Sequence, residues 1–387
     1  MQILFDHQAF EMQRFGGVSR SYAELISRLG EKGCDCVIGV RESDNVYLHE
    51  KKLASDIKPL YFKHDLLFEG KKLFKGQRTL TRKALGLFGE RNDFLKVNRD
   101  YCIKLLKKQR FDVFEPTFFD AYFLPYLKDK PFVMTVHDMI PELFPQYFAR
   151  DDFQIVQKRL LCPLAAHIHV PSLRTKEDLV NILNVSPDKV TVIPHGRSGH
   201  ISDDYSNPPI FDFPYLLYVG DRYGYKNYAR FVRECSYIIQ KYPEIRVVCT
   251  GKEFTEIEKM DLIRFGMEKN VIHHFASNES LKNLYHYAVA FVYPSAYEGF
   301  GLPIIEAFVN DCPVMLNNAS CFPEVAEDAA IYFDIEKNGD LCEKFADFYT
   351  SWSGMRTEMI QKGRRQAEKY SWEKSAELLK GVYNMLV

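Results

Sequence analysis

Two carboxylates, Glu298 and Glu306, stand eight positions apart around a glycine-rich turn, in Glu298-Gly-Phe-Gly-Leu-Pro-Ile-Ile-Glu306. Pro303 suits the first turn of a helix, where its missing N–H costs little and its φ is already helical. Gly299 and Gly301 allow close approach to the backbone, so N–H groups near Leu302 can meet a phosphate at the helix start. Neither acid would hold that phosphate, because like charges repel. Each is suited instead to accept hydrogen bonds from hydroxyls on either side of it. A phosphate between two polyhydroxylated groups describes a nucleotide-sugar. The bland alternative is a buried strand–turn–helix connection with two solvated acids.

A second group of residues is Tyr218-Val-Gly-Asp-Arg222-Tyr-Gly-Tyr-Lys226-Asn227. It lies between a strand pattern and a helix pattern, with Asn227 a natural N-cap. Arg222 and Lys226 beside a helix start suit a pyrophosphate: Arg binds two oxygens at once, and Lys is a compact charge. On their own they would read as two surface cations at a turn. A third group, Arg14-Phe-Gly16-Gly17-Val-Ser-Arg20, opens a helix over 18–29 whose Tyr22, Leu25, Ile26 and Leu29 repeat at helical spacing. Paired glycines there admit an anion to the helix end, although a lone Gly-Gly is more often a tight turn. A fourth, Thr135-Val-His137-Asp138, follows a strand, where open α/β sheets bind ligands; Asp138 is placed to orient the His137 ring.

The elements that must position these residues alternate. Strand-like runs fall at 3–5, 36–40, 113–115, 132–136, 167–171 and 190–193. They continue at 215–219, 246–250, 271–275, 290–293, 313–316 and 330–333, with amphipathic helical patterns between them. Such alternation gives parallel sheets covered by helices on both faces. A polar, proline-bearing stretch over 197–214 follows Ile193-Pro-His195-Gly196 and reads as a linker. The expected division is a first domain over 1–195 and a second over 196–372. The fold class is thus α/β, with two doubly wound domains facing a central cleft.

A chain of 387 residues has room for two such cores. Net charge is −1, but residues 1–195 hold 30 Lys and Arg against 25 Asp and Glu, whereas residues 196–387 hold 21 against 27. Much of the basic excess lies in an amphipathic stretch over 64–96, which either lies on an anionic membrane or is a solvated helical face. A nucleic-acid partner is disfavoured, since the rest of the chain is not basic. Nine scattered cysteines, without metal-type spacing, point to reduced thiols and a cytoplasmic location, at the inner membrane face if the basic stretch docks there. Cys249 and Cys312 sit in apolar runs and read as core.

The Glu298 to Glu306 segment resembles the E-x7-E signature of retaining GT-B glycosyltransferases of family 4, and the likeness runs from residue 1 to the C-terminus. The resemblance implies that the last helix, 373–387, packs back on the first domain. It places Gly16 and Gly17 beneath the donor phosphate and His137 against the donor sugar, and makes Arg222 and Lys226 the cations for the leaving diphosphate. Glu306 would hold ribose and Glu298 the transferred sugar, with Phe300, Gly301 and Leu302 completing the donor site. It implies front-face attack with retention; whether His137 moves a proton stays open. No Asp-x-Asp occurs, so no metal and no cofactor are expected. The donor favoured by association is GDP-mannose, and the acceptor a glycan or lipid-linked oligosaccharide of a surface polysaccharide such as O-antigen. Similar sequences often carry His where this chain has Glu115, with no role deduced. Val170-Pro-Ser172, Pro194-His195-Gly196 and Pro323-Glu324-Val325 read as structural or cleft-lining. A dehydrogenase is disfavoured because no G-x-G-x-x-G follows the first strand. A nucleotide-sugar epimerase and a catalytically silent binding protein remain as alternatives.

Overall fold

The computed structural model describes residues 1–53, 57–58, 93–197 and 207–387. Each strand-like run is a strand, shifted or shortened by a residue or two at some ends. The first half carries β1 (Gln2–Phe5), β2 (Asp35–Ile38), β3 (Val113–Glu115), β4 (Val133–Thr135), β5 (His167–Val170) and β6 (Val190–Val192). The second carries β7 (Tyr215–Tyr218), β8 (Arg246–Cys249), β9 (Val271–His273), β10 (Ala290–Tyr293), β11 (Val314–Asn317) and β12 (Ile331–Phe333). Strands such as β7 and β10 are buried along their whole length, as continuous apolar runs in a sheet covered on both faces must be.

The first half pairs in the orders β2-β1-β3 and β4-β5-β6, all parallel, joined by a parallel bridge between Phe114 and Phe132. The second half is one parallel sheet, β12-β11-β10-β7-β8-β9. Its winding reverses between β7 and β10, and open α/β sheets bind ligands in the crevice at that point. The segments leaving these two strands are 219–227 and 294–301, so the Arg222–Lys226 and Glu298–Glu306 motifs both emerge at the crevice.

The helix Trp372–Asn384 packs against the helix Gly17–Glu31, so the C-terminus joins the core of the first sheet. Ser371 caps it by accepting from the Lys374 N–H. Trp372, Ala376, Leu379, Val382 and Tyr383 are buried with Ile3, Phe5, Tyr22, Leu25, Ile26 and Leu29. Burying each large apolar side chain contributes about 1.5–3 kcal/mol. The Arg28–Glu373 and Lys32–Glu377 pairs at the rim add no more than about 1 kcal/mol each. Glu115, fully buried, has a place here. One carboxylate oxygen accepts from the Tyr383 hydroxyl; the other meets His169 Nε2 at 3.0 Å and Thr135 Oγ1 at 3.4 Å. It bolts the returning helix to β3, β4 and β5.

All nine cysteines are free thiols, Cys249 and Cys312 among the buried ones. Among the described residues no helix is long and apolar enough to cross a membrane. Residues 64–92 of the basic stretch, and 198–206 of the linker, lie outside the described residues.

Candidate active site

The E-x7-E turn leads into the helix Leu302–Val309. Gly301 is its N-cap with φ +89°, a left-handed conformation that a Cβ would strain, and Pro303 stands in the first turn. Across the cleft the helix Gly17–Glu31 begins behind Gly16. A Cβ on Gly17 would lie 3.7 Å from Leu302 Cδ1, and Leu302 packs on the cores of both domains. Two helix N-termini, one from each domain, therefore face each other, and each carries partial positive charge.

Both acids of the motif are paired. Lys226 Nζ donates to Glu298 Oε1 at 2.5 Å, and its ammonium lies over the rings of Tyr225 and Tyr293. Arg20 Nη1, from the other domain, donates to Glu306 Oε1 at 2.5 Å, while the Tyr285 hydroxyl donates to Oε2 at 3.4 Å. Ser320 fixes the turn: its Oγ donates to the Glu298 carbonyl at 2.8 Å and accepts from the Glu298 N–H at 3.1 Å.

The first domain grips this turn closely. A Cβ on Gly299 would fall 1.9 Å from the His137 carbonyl oxygen, so only glycine allows the two backbones to meet. The Gly299 carbonyl accepts from Ser172 Oγ at 2.7 Å and from Thr175 Oγ1 at 3.3 Å. Glu324 reaches back to accept from the Leu173 and Arg174 N–H groups at the start of the helix Leu173–Leu183. Tyr297 donates to Asp178 at 2.7 Å, and Phe144 packs on Tyr225 and Tyr297. The motifs around Ser172 and Glu324 are thus interdomain clamps, and His195 packs between Phe300 and Trp372.

Four sequence candidates are engaged elsewhere in this structure. Arg222 does not turn toward the carboxylate pair. Its side chain is buried, Nε donates to Glu258 at 3.0 Å, and Nη1 and Nη2 donate to the carbonyls of Thr250, Lys252 and Glu253. It stacks over Phe254 at 4.8 Å, so its planar fork is consumed inside its own domain. Phe300 contributes no side chain to the cleft, because its ring is buried against His195 and Tyr370. Asn227 occupies the N-cap position of the helix Tyr228–Lys241 in a left-handed conformation, and its side chain serves Pro294 and Arg230 instead of the helix. Asp138 Oδ1 accepts from the Ile140 N–H and makes no bond to the His137 ring.

His137 itself is half-buried at the cleft wall, edge-on to Tyr22 and near His195. Burial holds its pKa well below 6.5, with His195, His169 and Lys158 pushing the same way. The ring is neutral at pH 7, and its shielded Nε2 has no partner among the described residues. Beneath it Lys158 and Glu142 form a buried pair at 2.7 Å, and Lys158 Nζ donates to the Asp138 carbonyl at 3.1 Å. Sequence reasoning missed Arg20, Ser320 and Lys158 as parts of the site. Arg20 had one legible signal: it falls three residues after Gly17, on the same helix face.

Residues 15–198 match the family model of Glycosyltransferase Family 4, and residues 206–366 that of Glycosyl transferases group 1. The chain is 28% identical over 211 residues to the O-antigen chain mannosyltransferase RfbU of Salmonella typhimurium, covering 54% of this chain and 58% of that protein. It is 26% identical over 289 residues to the O-antigen chain mannosyltransferase B of Escherichia coli, covering 68% and 73%. Among solved structures, Anabaena Alr3699/HepE in complex with UDP and glucose superposes with a TM-score of 0.73 at 12% identity, over all of both chains. A glycosyltransferase from Rickettsia africae superposes at 0.68 and 16% identity, over 100% of this chain and 98% of that one. Two linked sheets of this topology, and a family match in each half, lead to one conclusion: the chain belongs to the group 1, family 4 glycosyltransferases of GT-B fold.

Proposed function

We propose that this protein is a retaining, metal-independent hexosyltransferase that uses a nucleoside diphosphate sugar. The observation that carries the reading is the meeting of two helix N-termini, from facing domains, over the Glu298–Lys226 and Glu306–Arg20 pairs. Such a place neutralises a diphosphate and offers carboxylates to the hydroxyls on both of its sides. As the glycosidic bond breaks, negative charge grows on the departing diphosphate. Lys226 and the helix start at Gly301 and Leu302 stabilise it, which is the largest contribution such a site can make. Glu306 holds ribose hydroxyls and Glu298 holds the sugar. His137 is neutral, lies at the cleft wall edge-on to Tyr22, and is proposed to meet the donor sugar. Arg222, expected as a further cation for the diphosphate, is held by Glu258 and three carbonyls beside the turn that carries Lys226.

Mannose from GDP-mannose is the favoured donor, since the similar proteins named above include O-antigen mannosyltransferases; a UDP-sugar is the competing donor, given the UDP bound to HepE. The proposed acceptor is a glycan or lipid-linked oligosaccharide in polysaccharide or O-antigen assembly. The test is a thermal-shift panel of UDP, GDP, dTDP and ADP with their sugar conjugates, in EDTA. The selected donor is then turned over with an oligosaccharide acceptor and the product's anomeric configuration read by NMR. A shift specific to one base, followed by retention in EDTA, is expected. No shift from any nucleotide, or an inverted product, would defeat the proposal.

A further inference from the structure

The second acid of the motif, assigned above to ribose, is already engaged. Arg20 and Glu306 lie 286 residues apart in sequence and on opposite domains, yet pair at 2.5 Å with side chains 25% and 22% exposed. A ribose that takes the Oε1 atom of Glu306 displaces Arg20 from it. The displaced guanidinium would then stand in a partly buried cleft without its carboxylate, an unfavourable position for a charge. Arg20 sits one turn inside the Gly17–Glu31 helix, beside the Gly17–Leu302 contact where the two helix N-termini meet. Among the cations named at this site, Arg222 is saturated by Glu258 and three carbonyls, and Lys226 is a single point charge held by Glu298. A diphosphate with two or more negative charges calls for a second cation there, and a planar fork that can bind two oxygens fits it.

Resting on the donor-site reading above, we propose that Arg20 is a diphosphate-binding residue, released from Glu306 by the ribose and taken up by the phosphates. The exchange makes the Arg20–Glu306 pair a latch that a complete nucleoside diphosphate opens. A nucleoside alone must break the pair without offering the arginine a new partner. The two ligands therefore respond differently to loss of Arg20, which a merely structural residue would not produce.

The experiment compares the wild type with Arg20→Ala, Arg20→Lys and Glu306→Gln, each checked for an unchanged melting temperature. Binding of GDP and UDP is measured by calorimetry, and of guanosine and uridine by ligand-observed NMR at millimolar concentration. Arg20→Ala is expected to weaken the diphosphate by about 10- to 100-fold while the nucleoside binds equally or a few-fold more tightly. Arg20→Lys recovers part of the diphosphate affinity, and Glu306→Gln weakens both ligands. Equal weakening of diphosphate and nucleoside by Arg20→Ala, or unchanged diphosphate binding, would overturn the inference and leave the donor site standing. Absence of binding by the wild type to all four would overturn the donor-site reading and this inference with it.

Discussion

Replacing Gly299 by alanine tests whether contact between the domains sets the catalytic geometry. The added Cβ would sit 1.9 Å from the His137 carbonyl oxygen, 3.0 Å from its carbon and 3.3 Å from Asp138 Cβ. An ordinary contact needs roughly 3.2 Å or more, so about 1.3 Å of separation must appear between the E-x7-E turn and the 137–138 loop. Neither side yields easily. The turn is tied by Ser172 and Thr175 to the Gly299 carbonyl and by Ser320 to Glu298, and the 137–138 loop is held from below by Lys158. Overpacking of this kind costs about 1–3 kcal/mol. Losing the two hydroxyl bonds adds about 1 kcal/mol each. Since both contacts lie between domains, each sheet keeps its core and the cost falls on closure. A misplacement of about 1 Å at the reacting centre lowers turnover by about 10²-fold. The assay is kcat/KM from donor-dependent release of nucleoside diphosphate, with small-angle X-ray scattering to follow cleft opening. Wild-type turnover with an unchanged scattering profile would refute the claim that this contact positions the motif.

Lys226→Ala should lower kcat by about 10²-fold or more with little change in melting temperature, measured by steady-state kinetics beside a thermal scan; kcat near wild type would remove Lys226 from leaving-group stabilisation. Arg222→Ala should act on stability instead, costing about 1–3 kcal/mol in denaturant titrations because Glu258 and three carbonyls lose their donor. An Arg222→Ala protein of full stability and no activity would restore the arginine to the diphosphate. Tyr383→Phe leaves a Glu115 carboxylate oxygen without its donor and should cost about 1–3 kcal/mol, read as a lower denaturation midpoint; an unchanged midpoint would show that the network does not hold the returning helix. Burial pushes the His195 pKa down to about 3 from 6.5, so the unfolded chain binds a proton that the folded one refuses between those values. Stability supplied by the neutral ring is therefore lost as pH falls below 6.5 toward about 3. His195→Gln should flatten that acid limb in unfolding titrations, and identical slopes would count against a buried neutral ring.

The strands and the turns at 219–227 and 294–301 were legible because their signals are local. Continuous apolar runs mark strands covered on both faces, and Glu298, Gly301, Pro303 and Glu306 follow from the backbone needs of one turn and one helix start. Cysteines in apolar runs, such as Cys249 and Cys312, likewise went to the core. Which cation serves which acid was not legible. Arg222 and Lys226 stand four residues apart on one turn, and only the packed domain shows that one faces carbonyls and Glu258 while the other faces Glu298. Asn227 had the right type for a cap, but the left-handed turn spent its side chain on Pro294 and Arg230. Ser320 and Lys158 gave no sequence reason to join the site, since their partners lie on other elements. Glu115 was opaque for the same cause: a buried carboxylate has meaning only once Tyr383, 268 positions away, returns to donate to it. The sequence by itself determined the backbone conformations, because those depend on residues a few positions apart. The tertiary structure alone decided the pairing of charges, because a buried or half-buried ion takes whichever partner the fold brings within hydrogen-bond reach.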